Sequence, residues 1–382
     1  MILTLEDFFE EAFSFVQEPR ANQRRHRLVD ILVIAFCSVI CGAEGWDEIA
    51  WFGGEKEDWF QSFLELPFGI PSASTFERVI SSICPDEFCE SLQWVTQALH
   101  AGRVKASKET GQREQVAIDG KTLRKSFDTS SGIRALHTVN AYACELGACI
   151  GQVTVSEKSN EITAIPRLLD ILELRGKVVS LDAMGTQKNI AKAIRSKKAD
   201  YILALKKNHG DLFQAVEELF SEVEDLTSLG ENVAISTTEK GHGRIERRDV
   251  AAVPFRRLWA STNEWPDLAT FVAVDSVREI NGVASKDRRF YITSLPPVPS
   301  LAAKTIRNHW QVENKLHWTL DVTFREDCSR VRKDHGAKNL SILRKMTLNL
   351  LKSDKKQKIS IKRKRLKAAM NKDYLESLFD FI

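Results

Sequence analysis

Two short stretches decide the fold: VAIDGKTLRKS at 116–126 and GKVVSLDAMGT at 176–186. Each is a brief apolar run that stops at an acid, Asp119 in the first and Asp182 in the second. Runs of this length, rich in Val and Ile and bounded by polar residues or glycine, read as buried strands. Between them, LHTVNAYACE (136–145) and CIGQVTVSE (149–157) alternate around Leu146-Gly147-Ala148 and predict a hairpin. EITAIPRLLDILEL (161–174) has the spacing of an amphipathic helix, QKNIAKAIRSKKA (187–199) that of another, and DYILALKKN (200–208) that of a further strand. The order strand-strand-strand-helix-strand-helix-strand is an alternating α/β layout after an antiparallel start. Its first and fourth strands each carry an aspartate near the end, where ligands and metals sit in such sheets.

Residues 1–100 read differently, as an all-helical N-terminal domain. LVDILVIAFCSVICGA (28–43) is apolar nearly all round, hence a buried helix closed by Gly42 and Gly45. The next helical stretch is expected to break at Gly53-Gly54. Ser72 and Ser74 are candidate N-caps, and Pro85-Asp86 opens a further helix. Paired helices of this kind serve packing more often than DNA reading. AGRVKASKETGQREQ (101–115) is polar and reads as a linker. After the α/β stretch, DLFQAVEELFSEVE (211–224) is helical, and four alternating runs over about 231–295 predict a mostly β insertion. Helical spacing resumes in SLAAKTIRNHWQVENKLHWTLDVTF (300–324), just after Pro296, Pro297 and Pro299.

Composition bounds the possibilities. With 382 residues, 43% hydrophobic and 28% charged, the chain is ordinary globular protein of more than one unit. A net charge of +3 says little about partners, but its distribution says more. From Lys352 to Lys372 there are ten Lys or Arg against one acid, Asp354, so residues 351–382 form a basic C-terminal tail. Such a run is either a solvated helix or arm, or a phosphate-contacting surface. Seven cysteines without a CxxC pair read as reduced, mostly core thiols. The most apolar stretch is too short to span a bilayer comfortably, and the acidic first residues lack the basic start of a signal peptide. The expected location is the cytoplasm, with no membrane partner.

Asp119, Asp182 and Glu313 lie 63 and 131 residues apart, two at strand ends and one on a later helix. Three such carboxylates suit two Mg²⁺ ions, because hard cations take carboxylate oxygens and keep positions open for phosphate. Spacing alone is a weak signal among 52 acids. Asp321, Glu326 and Asp327 compete with Glu313 for the third place. Trp310, Glu313 and His317 share one face if the helix is regular, and that face is expected to be semi-buried.

Together VAIDGKTLRKS, VVSLDAMGTQ, YILALKKNHGDL, GHGRIERR and IRNHWQVENKLHWTLDVTFREDCSRVR resemble the ISAs-family insertion-sequence transposases, which include the H-repeat-associated proteins. CGAEGWDEIAWFG and PSASTFERV resemble the domain that accompanies that catalytic core. The similarity runs in order over nearly the whole chain.

The resemblance implies an RNase H-like DDE domain over 112–350, interrupted by the β insertion, with Asp119, Asp182 and Glu313 as catalytic and metal-holding carboxylates. It implies Mg²⁺ as cofactor, with Mn²⁺ as substitute. Double-stranded DNA is the implied partner, as insertion-sequence ends and target, bound by a homo-oligomer. Related transposases often carry Tyr, Arg and Lys around the glutamate where this chain has Ile306, His309 and Leu320. Lys207 and His209 stand where a Gly and a Gln are expected. Candidate DNA contacts are Lys121, Arg124, Lys206, Lys207, Asn208, His242, Arg244, His309 and Lys315, which would position the backbone and not read bases. The loop GHGRIERR has a bland reading beside this one, a hairpin with a charged edge that discourages pairing. Rival readings stay open: a decayed or domesticated copy that nicks DNA or acts as a repressor, and a nuclease acting on RNA.

Overall fold

The computed structural model describes residues 4–380, apart from 22–23, 111–112, 130–131, 133, 157–159, 242 and 256–263. The strands are β1 (Gln115–Thr122), β2 (His137–Ala143), β3 (Ala148–Thr154), β4 (Val178–Leu181), β5 (Asp200–Leu205), β6 (Ala234–Gly241), β7 (Arg244–Pro254), β8 (Thr270–Ile280) and β9 (Val283–Thr293). The first nine helices are α1 (Leu5–Phe13), α2 (Leu28–Ile40), α3 (Trp46–Glu55), α4 (Glu57–Gln61), α5 (Ala73–Ser82), α6 (Pro85–Thr110), α7 (Glu161–Asp170), α8 (Lys188–Ser196) and α9 (Gly210–Leu219). The remainder are α10 (Pro299–His309), α11 (Trp318–Thr323), α12 (Gly336–Ser353), α13 (Ile361–Met370) and α14 (Lys372–Ser377). The chain divides into two units. Unit 1 comprises Met1–Gly111, Gly120–Ser159 and Glu313–Ile382, and unit 2 comprises Gln112–Asp119 and Asn160–Val312.

In unit 2 the strand order is β1-β4-β5-β9-β8-β7-β6. β1, β4 and β5 run parallel, and their apolar sequences follow from burial on both faces. All four residues of β4, Val178 to Leu181, are buried. The β-rich segment is more than an insertion: β9 pairs antiparallel with β5, from Ile202↔Thr293 to Leu205↔Phe290, so the sheet continues through it. β6 to β9 form an antiparallel meander. Helix α10 packs on β4, β5, β6 and β7, placing Ala302 and Ile306 against Val178, Ile202, Val250 and Val272.

Unit 1 is built around α12, which packs on α2, α5, α6 and β3 and is buried from Gly336 almost to its end. A helix buried all round must satisfy its polar side chains internally. Asn339 donates to the carbonyls of Ile80 (2.7 Å) and Ile83 (3.0 Å). Lys345 donates to Gln152 Oε1 and Ser341 Oγ, each at 2.6 Å. Asn349 accepts from the Cys149 amide (3.0 Å) and donates to the Cys149 carbonyl (2.7 Å) and to Thr96 Oγ1 (2.8 Å).

Several expectations need correction. Most of the stretch 101–115 is not a linker, because α6 continues to Thr110. Gly53 and Gly54 lie inside α3, and the chain breaks instead at Lys56, whose amide bonds back to Phe52 and Gly53 carbonyls. Ser72 occupies the N-cap position of α5 without a side-chain capping bond. Nor is the basic C-terminal run a solvated arm along its length, for it forms α13 and α14. Lys364 is buried on the Leu351 carbonyl (2.9 Å) and Asp354 (3.1 Å). Arg365 donates to the Thr323 and Val39 carbonyls and lies 4.3 Å over the Phe324 ring. Burial also pushes the Lys352 amine down to about 7, so the run carries less charge at neutral pH than its composition suggests. All seven cysteines are free thiols, four of them buried. Among the described residues no helix is long and apolar enough to cross a membrane.

Replacing Asn349 by Ala leaves the Cys149 amide and carbonyl and the Thr96 hydroxyl short of partners. A loss of about 1–3 kcal/mol in urea unfolding is expected, and an unchanged midpoint would contradict this account of α12.

Candidate active site

The parallel register of β1 and β4 ends at Ile118↔Leu181. The residue that follows each member of this last pair is an aspartate, so Asp119 and Asp182 come at neighbouring positions of strands whose backbones run about 4.8 Å apart. Both are half-buried. Their donor chemistry fits a hard divalent cation.

Asp182 is held by the turn that follows it. Its Oδ1 accepts from the amides of Met184 (3.0 Å) and Gly185 (3.1 Å), and Thr186 Oγ1 bonds to the Asp182 carbonyl (3.1 Å). A Cβ at Gly185 would meet Leu181 and Ile165 side-chain atoms at 3.0–3.2 Å, so a larger residue in the turn would press on these two neighbours. The segment after β5 is stitched to this turn: Asn208 Nδ2 donates to the Ala183 carbonyl (3.0 Å), and His209 Nε2 meets the Thr186 carbonyl. Lys206 and Lys207, beside it, are exposed.

Behind Asp182 runs a polar string that sequence reading missed. Gln115 Nε2 donates to the Thr305 carbonyl (2.8 Å) and to Ser180 Oγ (2.9 Å), and Ser180 Oγ lies 3.0 Å from His309 Nδ1. The Ser180 hydroxyl can accept from Gln115 and still either donate to or accept from Nδ1, so this bond joins the ring to the strand in either tautomer. Burial pushes His309 down to about 4, against the pull of the nearby Asp182 carboxylate. His309, expected on DNA phosphate, is thus a neutral ring built into the surroundings of Asp182. The signal available in the sequence was a lone polar residue, Ser180, inside an apolar strand.

Glu313 belongs to unit 1, where it is exposed. It sits in a π-helical turn, Val312–His317. A π turn widens the spacing beyond 3.6 residues, so the face expected from regular helical phase does not form. Trp310 is 39% exposed and Glu313 exposed, while His317 is buried.

Lys121 also departs from expectation. Instead of facing a phosphate it is buried in unit 1, bonded to Asp321 and within 3.5 Å of Asp327 and 4.0 Å of Glu326. The three acids that rivalled Glu313 therefore surround a lysine. Among the described residues no three His, Cys, Asp or Glu side chains gather as a metal cage.

Of the remaining basic candidates, Arg124 is exposed with Nε 3.3 Å from Asp327, and Lys315 is exposed. Arg244 opens β7 at the β6–β7 hairpin, 3.7 Å from Glu246. Glu246 is also paired with Arg248 (2.5 Å), and Arg248 with Glu239 (3.3 Å), so the hairpin carries a ladder of charges. His242 lies outside the described residues.

Helices precede a mixed α/β fold in which aspartates follow the last pair of two adjacent parallel strands, and the family of the chain agrees with that order. Residues 110–350 match the family described as Transposase DDE domain, and residues 10–127 match DDE_Tnp_1-associated. The chain belongs to the DDE transposase family. It is 40% identical over 376 residues to "H repeat-associated putative transposase YhhI" of Escherichia coli K12, covering 96% of each chain. It is 40% identical over 359 residues to "Putative transposase YncI" of Escherichia coli O157:H7, covering 93% of this chain and 89% of that one. Among solved structures it overlaps a chain of the piggyBac transposase synaptic complex with hairpin DNA, at TM-score 0.43 and 10% identity, over 98% of this chain and 80% of that one.

His317 supplies a pH test of the unit 1 packing. Burial, aided by Lys121 and Lys345, pushes it down to about 3. Its folded value lies below the unfolded 6.5, so its contribution is complete above about pH 6.5 and is lost as pH falls toward the folded value. Between pH 7 and 5 the wild type should lose about 2 kcal/mol more stability than His317→Gln. Parallel urea-unfolding curves for the two proteins across that range would refute the burial argument.

Proposed function

We propose that this protein cleaves and joins DNA phosphodiester bonds at the ends of an insertion sequence, with Asp119, Asp182 and Glu313 as its catalytic carboxylates on an RNase H-like core. The observation that carries the reading is the in-register placement of Asp119 and Asp182 one residue beyond the last β1–β4 pair. Glu313 enters through the resemblance of its HWQVEN motif. These carboxylates would hold Mg²⁺, or Mn²⁺ in its place. When bound, two such ions activate the attacking oxygen and stabilise the leaving 3′ oxygen.

The chain's own contribution is positioning. The Met184 and Gly185 amides fix one oxygen of Asp182, and the Gln115–Ser180–His309 string braces the strand beneath it. Arg124, Lys206, Lys207, Arg244 and Lys315 are the proposed contacts to backbone phosphates, with Asn208 anchoring their loop. They would supply salt-dependent affinity for double-stranded DNA without base readout. Assembly of more than one copy on two DNA ends belongs to the same proposal. A second reading, a catalytically decayed copy that only binds DNA, is favoured by the departures from the related transposases at Lys207, His209, Ile306, His309 and Leu320.

The test is cleavage of DNA carrying the element's own ends, in Mg²⁺ or Mn²⁺. Asp182→Asn and Asp119→Asn should each slow strand breakage about a thousandfold, as the loss of several kcal/mol of charge stabilisation implies, while leaving DNA binding intact. A folded wild type that binds these ends and never cuts them would establish the decayed-copy reading instead.

A further inference from the structure

The π turn Val312–His317 decides which way Glu313 faces, and a side chain from another part of unit 1 grips it. In a regular helix Glu313 and His317, four residues apart, would share a face. Here His317 is 7% exposed and Leu316 is buried, whereas Glu313, Asn314 and Lys315 are exposed. A turn closed from i to i+5 carries about one residue more than an α turn, and each residue rotates the phase by about 100°. Glu313 is thereby turned off the packed face that His317 occupies. Such turns are rare, and one persists where surrounding contacts hold it.

The holding contact is at Lys315. Its carbonyl accepts from Thr319 Oγ1 at 3.0 Å, a bond one turn back of the kind that bends helices. The same carbonyl accepts from Lys352 Nζ, in the last turn of α12, at 2.7 Å. Lys352 is itself fixed by Tyr142 of β2, whose hydroxyl lies 3.3 Å from Nζ and whose ring centroid lies 5.1 Å away. An ammonium on a carbonyl is roughly twice as strong as a neutral hydrogen bond. The chain beyond the turn is anchored separately: His317 Nε2 lies 3.4 Å from Asn140 Nδ2, and Asp321 is bonded to Lys121. With that side fixed, the pull of Lys352 falls on the turn itself.

We propose that Lys352 is a positioning residue, which holds the π turn through the Lys315 carbonyl and so keeps the Glu313 carboxylate directed away from the packed face of unit 1. That Glu313 has a reaction to serve rests on the transposase reading above, whereas the clasp on the turn does not.

The experiment uses the full chain at about pH 6, below the value of about 7 to which burial pushes the Lys352 amine, so that the amine is charged. Hydrogen–deuterium exchange of the free protein is read over peptides spanning 311–323, and strand breakage is measured on DNA carrying the element's ends. Lys352→Met keeps an unbranched side chain and removes the donor. It should speed exchange over 311–323 about tenfold, the size expected for one charge-assisted bond, and leave α2 and α6 at wild-type rates. It should slow strand breakage by about the same factor with DNA affinity unchanged. Lys352→Arg, which keeps a donor and the charge, should recover most of both losses. Should Lys352→Met fail to fold, Lys352→Gln, with a neutral and shorter donor, carries the same comparisons. Wild-type exchange over 311–323 in the variant that folds would overturn the clasp. So would acceleration spread evenly over unit 1, which marks a plain loss of stability. Faster local exchange with wild-type strand breakage would overturn the positioning role. A wild type that never cuts DNA, with the exchange results as expected, would sink the catalytic reading and leave the clasp on the turn standing.

Discussion

The parallel pairing of β1 with β4 is the constraint on which unit 2 turns. Four residue pairs, Gln115↔Val178 to Ile118↔Leu181, fix where two carboxylates emerge. A slip of one residue would turn every side chain of one strand to the opposite face and set Asp119 beside a leucine or alanine. Buried apolar contacts resist that slip, and so does the hydrogen bond from Gln115 to Ser180, which fits one register only. The polar residues within these strands thus secure what the apolar ones cannot specify by themselves, namely alignment along the strand direction. Helix α10 locks the arrangement from above, with Ile306 in the core and His309 on Ser180.

Unit 1 solves a different problem. Its central helix is surrounded, so charged side chains lie where apolar ones would ordinarily pack. Glu326, Arg344 and Lys345 are all essentially inaccessible, and Lys121 is nearly so. Removing one member of such a group leaves its partners charged and dry, which costs far more than the group contributes in sum. In α13 the usual pattern of an amphipathic helix is inverted: Lys364 and Arg365 turn inward to carbonyl oxygens, whereas Leu366 and Met370 are 59% and 79% exposed.

Much of this was legible before any coordinates. Strand and helix runs, the two aspartates at strand ends and the helical first hundred residues follow from local periodicity and turn chemistry. What escaped depends on distant partners. Nothing near Lys121 in sequence announces that Asp321 and Asp327, some two hundred residues on, will enclose it. The π turn at Glu313 shifts helical phase by a backbone change that side-chain pattern does not encode. The β-rich segment looked like an insertion because its strands are contiguous in sequence, and only the β5–β9 pairing makes it part of the sheet. Gly53-Gly54 carries the composition of a break but serves packing, since Gly53 lies so close to Ile34 and Ile70 that a Cβ there would clash.

Unit 1 is assembled from three separated pieces of chain, and this has a consequence for how the protein is made. Helices α2 and α6 leave the ribosome early, but the helix that covers them, α12, follows roughly three hundred residues after α2 and more than two hundred after α6. At synthesis rates of about 5–20 residues per second the apolar faces of α2 wait on the order of 15–60 s for their partner. Unit 2 closes meanwhile, since nearly all its residues lie between. During that interval the nascent chain presents one folded unit and one unfinished set of helices, the state in which chaperones and proteases have their best access. A message or reading frame interrupted before α12 would hold the product there permanently, with its N-terminal helices uncovered.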